Sequence, residues 1–94
     1  MNVRFYATLR PLVGGKAVDL CLPPGATVRD LLESATARFP KLAPIVWTEE
    51  RNLREFVKVF LNGRDIRHLA LLETPVPQDA EIDIFPPVAG GSGG

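Results

Sequence analysis

Few side chains in this sequence are suited to chemistry, and none is placed to work with another. Cys21 is the sole cysteine and His68 the sole histidine. A strand thiol with no obvious activating neighbour reads as structural. A lone histidine with no cysteine or carboxylate at ligand spacing reads as a surface or hydrogen-bonding residue rather than a metal ligand. Asp79, Glu81 and Asp83 imitate an acid pair or a Mg²⁺ site, but they suit a solvated turn and strand face better. With no nucleophile–base pair and no metal cluster in the sequence, no catalytic side chain, metal or bound cofactor of its own is expected. What remains is Gly90-Gly91-Ser92-Gly93-Gly94. It is not a phosphate loop, because it lacks Lys-Ser/Thr and no helix follows. Glycines carry no Cβ, so such a stretch threads where a side chain clashes. By composition alone it also reads as a disordered end or an engineered linker.

The elements that must position this tail follow from periodicity. Residues 2–8 alternate, with Val3, Phe5 and Ala7 on one face and Arg4, Tyr6 and Thr8 on the other, which predicts a half-buried strand. Pro11 and Gly14-Gly15 mark a loop over Arg10 to Lys16 that closes a hairpin onto a second strand, Ala17 to Leu22. Cys21 falls within that strand. Thr27 is an N-cap with Asp30 at the third helical position. Val28, Leu31, Leu32, Ala35 and Phe39 form one apolar stripe that ends at Pro40. Residues 41–56 read as an insertion packed by Trp47, with a helical turn over Leu42 to Trp47. Phe56 to Leu61 predicts a strand, Asn62-Gly63 a tight turn, and Ile66 to Leu72 a turn followed by an edge strand. A last strand runs from Glu81 to Phe85.

One amphipathic helix and a mixed sheet must bury their apolar sides against each other. A right-handed crossover then sets the first and last strands parallel at the centre. The expected fold is α+β, a β-grasp with one main helix on one face, spanning residues 1–87, with 88–94 a Gly-rich tail. The 94 residues, 46% of them hydrophobic, suffice for one modest core. Eleven basic residues balance eleven acidic ones, leaving no positive surplus for nucleic acid or an anionic membrane. No apolar run approaches bilayer length, and the alternating start is not that of a signal peptide. Neither a nucleic acid nor a membrane is expected as a partner, and the lone cysteine fits a reducing, cytoplasmic setting.

The segments Leu61-Asn62-Gly63-Arg64-Asp65-Ile66-Arg67-His68-Leu69 and Glu81-Ile82-Asp83-Ile84-Phe85-Pro86-Pro87-Val88-Ala89-Gly90-Gly91, with the opening Val3-Arg4-Phe5-Tyr6-Ala7-Thr8-Leu9-Arg10, resemble the MoaD/ThiS-type ubiquitin-like sulfur carriers, MoaD most of all. The resemblance implies that an E1-like (MoeB/ThiF-type) enzyme uses ATP to adenylate the terminal glycine. A sulfur donor then converts it to a thiocarboxylate. In MoaD-type proteins the sulfur enters molybdopterin within a MoaE-type large subunit, so this chain would act as the small subunit or co-substrate of a molybdopterin synthase-like complex. Relatives serve cysteine, thiamin or tRNA thiolation, or are conjugated to lysines as modifiers. A passive binding module with an inert tail is the other alternative. The family pattern stops at the first Gly-Gly, Gly90-Gly91, whereas this chain continues to Gly93-Gly94. Gly94 with Gly93 is the expected reactive end, and Gly91 with Gly90 the second choice.

The tail has the reach for this work. At roughly 3.3 Å per residue, the run beyond Phe85 extends about 25–30 Å, and Pro86-Pro87 favours an extended base that lowers the entropy cost of insertion. Beside it, the sheet face opposite the predicted core carries Tyr6, Phe60 and Phe85 with Arg4 and Lys58. Such an aromatic patch rimmed by charge marks a partner site, continued by Pro86, Pro87 and Val88. The other reading has residues 41–56 folding over the patch and making it core.

Overall fold

The computed structural model describes residues 1–87. Five strands form one mixed sheet: β1 (Asn2–Phe5), β2 (Ala17–Asp19), β3 (Lys58–Leu61), β4 (Arg64–Asp65) and β5 (Ile82–Phe85). Their order is β2-β1-β5-β3-β4. β1 and β5 lie parallel at the centre, with Val3 opposite Ile82 and Phe5 opposite Ile84. β2 and β3 flank them antiparallel. This is the β-grasp arrangement that the element order predicts.

Three α-helices precede β3, and the longest carries the core. A short helix, α1 (Arg10–Val13), stands where the sequence suggests a loop, and its Pro11 lies in the first turn where the missing N–H costs nothing. The main helix, α2 (Val28–Arg38), starts where the sequence places it. Thr27 and Asp30 close a capping box, in which the Thr27 amide donates to Asp30 Oδ2 at 2.9 Å and the Asp30 amide donates to Thr27 Oγ1 at 3.4 Å. Two otherwise orphaned amides are thereby satisfied. The helix ends before Pro40, with Phe39 as its C-cap. It buries Val28, Leu31, Leu32 and Ala35, and the sheet buries Val3, Phe5, Val59, Leu61, Ile82 and Ile84 in the same core.

Several further sequence expectations need correction. β1 stops at Phe5 because Ala7 takes a left-handed backbone, φ +53°, which breaks the extended chain. Ala7 is therefore exposed rather than core-facing. β2 ends at Asp19, so Cys21 lies beyond the strand and is exposed. β3 and β5 begin at Lys58 and Ile82, later than the alternation suggests. No edge strand forms over Ile66 to Leu72, which is instead built from two 3-10 turns, Ile66–His68 and Leu71–Glu73. The edge strand is β4. The Asn62-Gly63 turn, with φ of +50° and +81°, is a two-residue hairpin that pairs Leu61 with Arg64 at once.

The insertion is ordered against the helix. Pro40–Leu42 forms a 3-10 turn that leads into α3 (Ala43–Val46). Trp47 is buried, and its indole N–H donates to Thr36 Oγ1 of α2 at 3.1 Å. Thr36 in turn donates to the Leu32 carbonyl at 2.9 Å, so the buried polar pair is satisfied.

Candidate functional site

Three neighbouring strands place alternate residues on the side of the sheet away from α2. Arg4 is opposite Asp83, Phe60 is also opposite Asp83, and Lys58 is opposite Phe85. Tyr6 extends β1 by one rung, its amide donating to the Ile84 carbonyl at 3.1 Å. The aromatic residues singled out by alternation therefore meet. Tyr6 and Phe85 stack with centroids 4.2 Å apart and planes 12° from parallel. Phe60 meets Phe85 edge-on at 5.6 Å. Each such contact adds about 0.5–1.5 kcal/mol beyond area burial. All three rings are only half-buried. The insertion does not turn this patch into core, since α3 and Trp47 pack on α2 instead.

A polar network at one edge holds the rings. Arg4 grips Asp83 through two contacts, Nε to Oδ1 at 2.6 Å and Nη2 to Oδ2 at 3.0 Å, the fork geometry that suits a carboxylate. Its Nη2 also reaches Glu81 Oε1 at 3.4 Å. The Tyr6 hydroxyl donates to Asp83 Oδ1 at 2.7 Å. That hydrogen bond is the largest cause of a Tyr6 pKa above its ordinary 10.0, because losing the phenol proton would set two anions face to face. Asp83 also raises the Arg4 pKa above its ordinary value, by its hydrogen bond to the guanidinium and by its charge, both of which favour the protonated form. The Arg10 guanidinium sits 5.3 Å from the Tyr6 ring centre and donates through Nε to the Phe5 carbonyl at 2.9 Å. Asp83 and Glu81 thus serve an arginine rather than a metal. Among the described residues, no cluster of three or more His, Cys, Asp or Glu side chains could hold an ion.

The opposite edge of the patch is a groove. Phe56, Lys58, Phe60, Phe85 and Pro86 line an open cleft of about 430 Å³. Phe56 is 67% exposed, and sequence reasoning missed it although it shares the parity of Lys58 and Phe60. Asp83 and Arg10 were missed as well. Alternation alone put Asp83 on this face, but an arginine across the strands gave no sign of a fork. Pro86 is buried and Pro87 exposed, so of the two only Pro87 presents itself freely. Val88, Gly90, Gly91, Gly93 and Gly94 lie outside the described residues. Arg67 has a structural role, its guanidinium donating to the carbonyls of Val57 and Glu55. His68 is exposed at the end of a 3-10 turn. No helix among the described residues is long and apolar enough to cross a membrane.

Residues 3–91 match the ThiS family. The chain belongs to that family. It is 36% identical over 91 residues to small archaeal modifier protein 3 of Haloferax volcanii, covering 97% of this chain and 98% of that protein. The crystal structure of SAMP1 from the same organism superposes with a TM-score of 0.84 at 28% identity, over 96% of this chain and 97% of that one. A chain of the Amycolatopsis orientalis BexX/CysO complex matches at TM-score 0.81 and 32% identity, over 96% and 98%. ThiS-family members of this kind are ubiquitin-like sulfur carriers and small modifiers, and the family's β-grasp fold is the one observed here.

Proposed function

We propose that this chain carries sulfur on a C-terminal glycine. The observation that carries this reading is that the aromatic face lies at the root of the glycine tail: β5 contributes Phe85 to the patch, and the chain runs on from it through Pro86-Pro87 to Gly90-Gly91. A partner gripping Tyr6, Phe60 and Phe85 therefore holds the tail by its base, which makes the tail's chemistry effectively intramolecular.

The chemistry is that of an unreactive acid made into an acylating agent. Within an E1-like adenylating enzyme of the MoeB/ThiF type, the glycine carboxylate attacks the α-phosphorus of ATP. Pyrophosphate leaves and an acyl-adenylate forms. A sulfide-level donor then attacks the carbonyl carbon, AMP departs, and a thiocarboxylate remains. ATP is bound by the partner, not by this chain, whose own contribution is docking, reach and a terminus free of side chains. The glycine proposed to react is Gly94, preceded by Gly93. Gly91, where the family match ends, takes its place if Ser92 to Gly94 are removed. The ending Phe85-Pro86-Pro87-Val88 favours molybdopterin as the destination, with a MoaE-type subunit as acceptor.

A second reading has a specific observation behind it. The Haloferax volcanii relative is named a small modifier, and the same activated glycine can acylate a lysine amine. The test is to incubate the protein with an activating enzyme, ATP and a sulfur donor, and to weigh its C-terminal peptide. A carrier shows the mass gain of one oxygen exchanged for sulfur. A modifier shows lysine adducts in cell extract that vanish when Gly93-Gly94 are deleted.

A further inference from the structure

The groove beside the aromatic stack has a charge pattern of its own. Its lining is apolar, with Phe56, Phe60, Phe85 and Pro86, apart from one ammonium, Lys58. Arg4, on the far edge, is held by Asp83 and Glu81. Lys58 is exposed and makes no ion pair or side-chain hydrogen bond among the described residues. Across the sheet it stands opposite Phe85, the last strand residue before the tail. An apolar cleft with one uncompensated cation on its wall is complementary to an apolar side chain that carries a carboxylate beside it.

We infer that this groove seats a protein segment of defined chemistry: a leucine, isoleucine, methionine or phenylalanine adjacent to an aspartate or glutamate on the activating partner. The apolar side chain lies on Phe56, Phe60 and Phe85, and the carboxylate pairs with Lys58. The cleft volume of about 430 Å³ is at the small end for ligand sites and suits one or two side chains. Because Pro86 is part of the lining, filling the groove also fixes the direction in which the tail leaves. The inference rests on the carrier reading only for the identity of the partner; the groove's preference for an acidic-apolar ligand stands apart from it.

Two measurements on the full chain test it. In the first, ¹⁵N spectra are recorded against acetylated peptides containing Leu-Glu or Leu-Gln. The Leu-Glu peptide is expected to shift the amides of Phe56, Lys58, Phe60 and Phe85. Its affinity should exceed that of the Leu-Gln peptide about two- to fivefold, the worth of one exposed ion pair, and Lys58→Glu should abolish that preference while Lys58→Arg keeps it. Equal binding of both peptides, or shifts away from the groove, overturns the inference. In the second, ATP–pyrophosphate exchange is followed with the ThiF-type enzyme of the same organism. Lys58→Glu is expected to raise KM for this chain about five- to tenfold with kcat little changed. A KM within twofold of wild type overturns the groove's role while leaving the carrier reading intact. If the unaltered chain is not a substrate at all, the carrier reading fails, and the peptide result alone decides the groove.

Discussion

The two faces of the central sheet use the same strands for opposite ends. On the helix side, Val3, Phe5, Val59, Ile82 and Ile84 are essentially inaccessible to water. On the other side, their immediate neighbours Arg4, Tyr6, Phe60, Asp83 and Phe85 include three half-buried rings tied down by one arginine–carboxylate fork. Apolar area has been removed from water on the first face and left available on the second. A half-exposed aromatic patch that is already stacked and hydrogen-bonded loses little side-chain freedom when a partner covers it. The helix face therefore supplies stability, and the open face is the one we propose for recognition.

Substitutions that break this contrast sort by size. Phe5→Ala, on the helix face, is expected to cost about 3–5 kcal/mol, as large-to-small core changes do, read as a fall in the urea midpoint at unchanged slope. Phe60→Asp, on the open face, is expected to weaken adenylation by the activating partner by about 2 kcal/mol or more, the scale of an interface hot spot. It should cost the fold clearly less than Phe5→Ala. If Phe60→Asp unfolds the chain as readily, the two faces do not differ in kind. Trp47→Phe, in the insertion, loses the bond to Thr36 and is expected to destabilise by about 1 kcal/mol without touching partner turnover.

The smallest effect is also the most local. Tyr6 is the only tyrosine, so its titration can be followed by absorbance without interference from another phenol. Its pKa lies above 10.0, chiefly because the phenol donates to Asp83. A group whose folded pKa is raised lends stability that is fully present below its unfolded value and is lost as pH rises through the folded one. The patch should therefore hold below pH 10 and loosen at higher pH. Asp83→Asn is expected to bring the phenol back toward 10. An unchanged titration would mean that the fork does not hold the ring.

The difference between the faces also explains what the sequence made legible. Strict alternation in Val3 to Phe5 and Ile82 to Phe85 is the trace of a sheet buried on one side, and it located the aromatic patch, while the element order with its right-handed crossover located the parallel centre. Thr27 with Asp30 gave the helix start, because capping is local chemistry. Ala7 misled, because nothing in a lone alanine announces a left-handed turn. Ile66 to Leu72 misled because its apolar residues serve two 3-10 turns, which bury Ile66 and Leu72 and leave Leu71 exposed. The position of β4 was legible after all: a two-residue Asn-Gly turn leaves its partner strand no choice but to begin at Arg64. The Asp83 fork depends on contacts between strands that no single stretch of sequence records, whereas Phe56 could have been found from the parity it shares with Lys58 and Phe60.

The central claim is that the glycine terminus is a reacting group presented by the aromatic face. The direct measurement is the mass of the C-terminal peptide after incubation with the activating enzyme, ATP and a sulfur donor, for wild type and Phe60→Asp side by side. Exchange of one oxygen for sulfur on the terminal glycine of the wild type, with strong loss in the variant, is the expected result. An unmodified terminus in the wild type, or equal modification of both proteins, would contradict it.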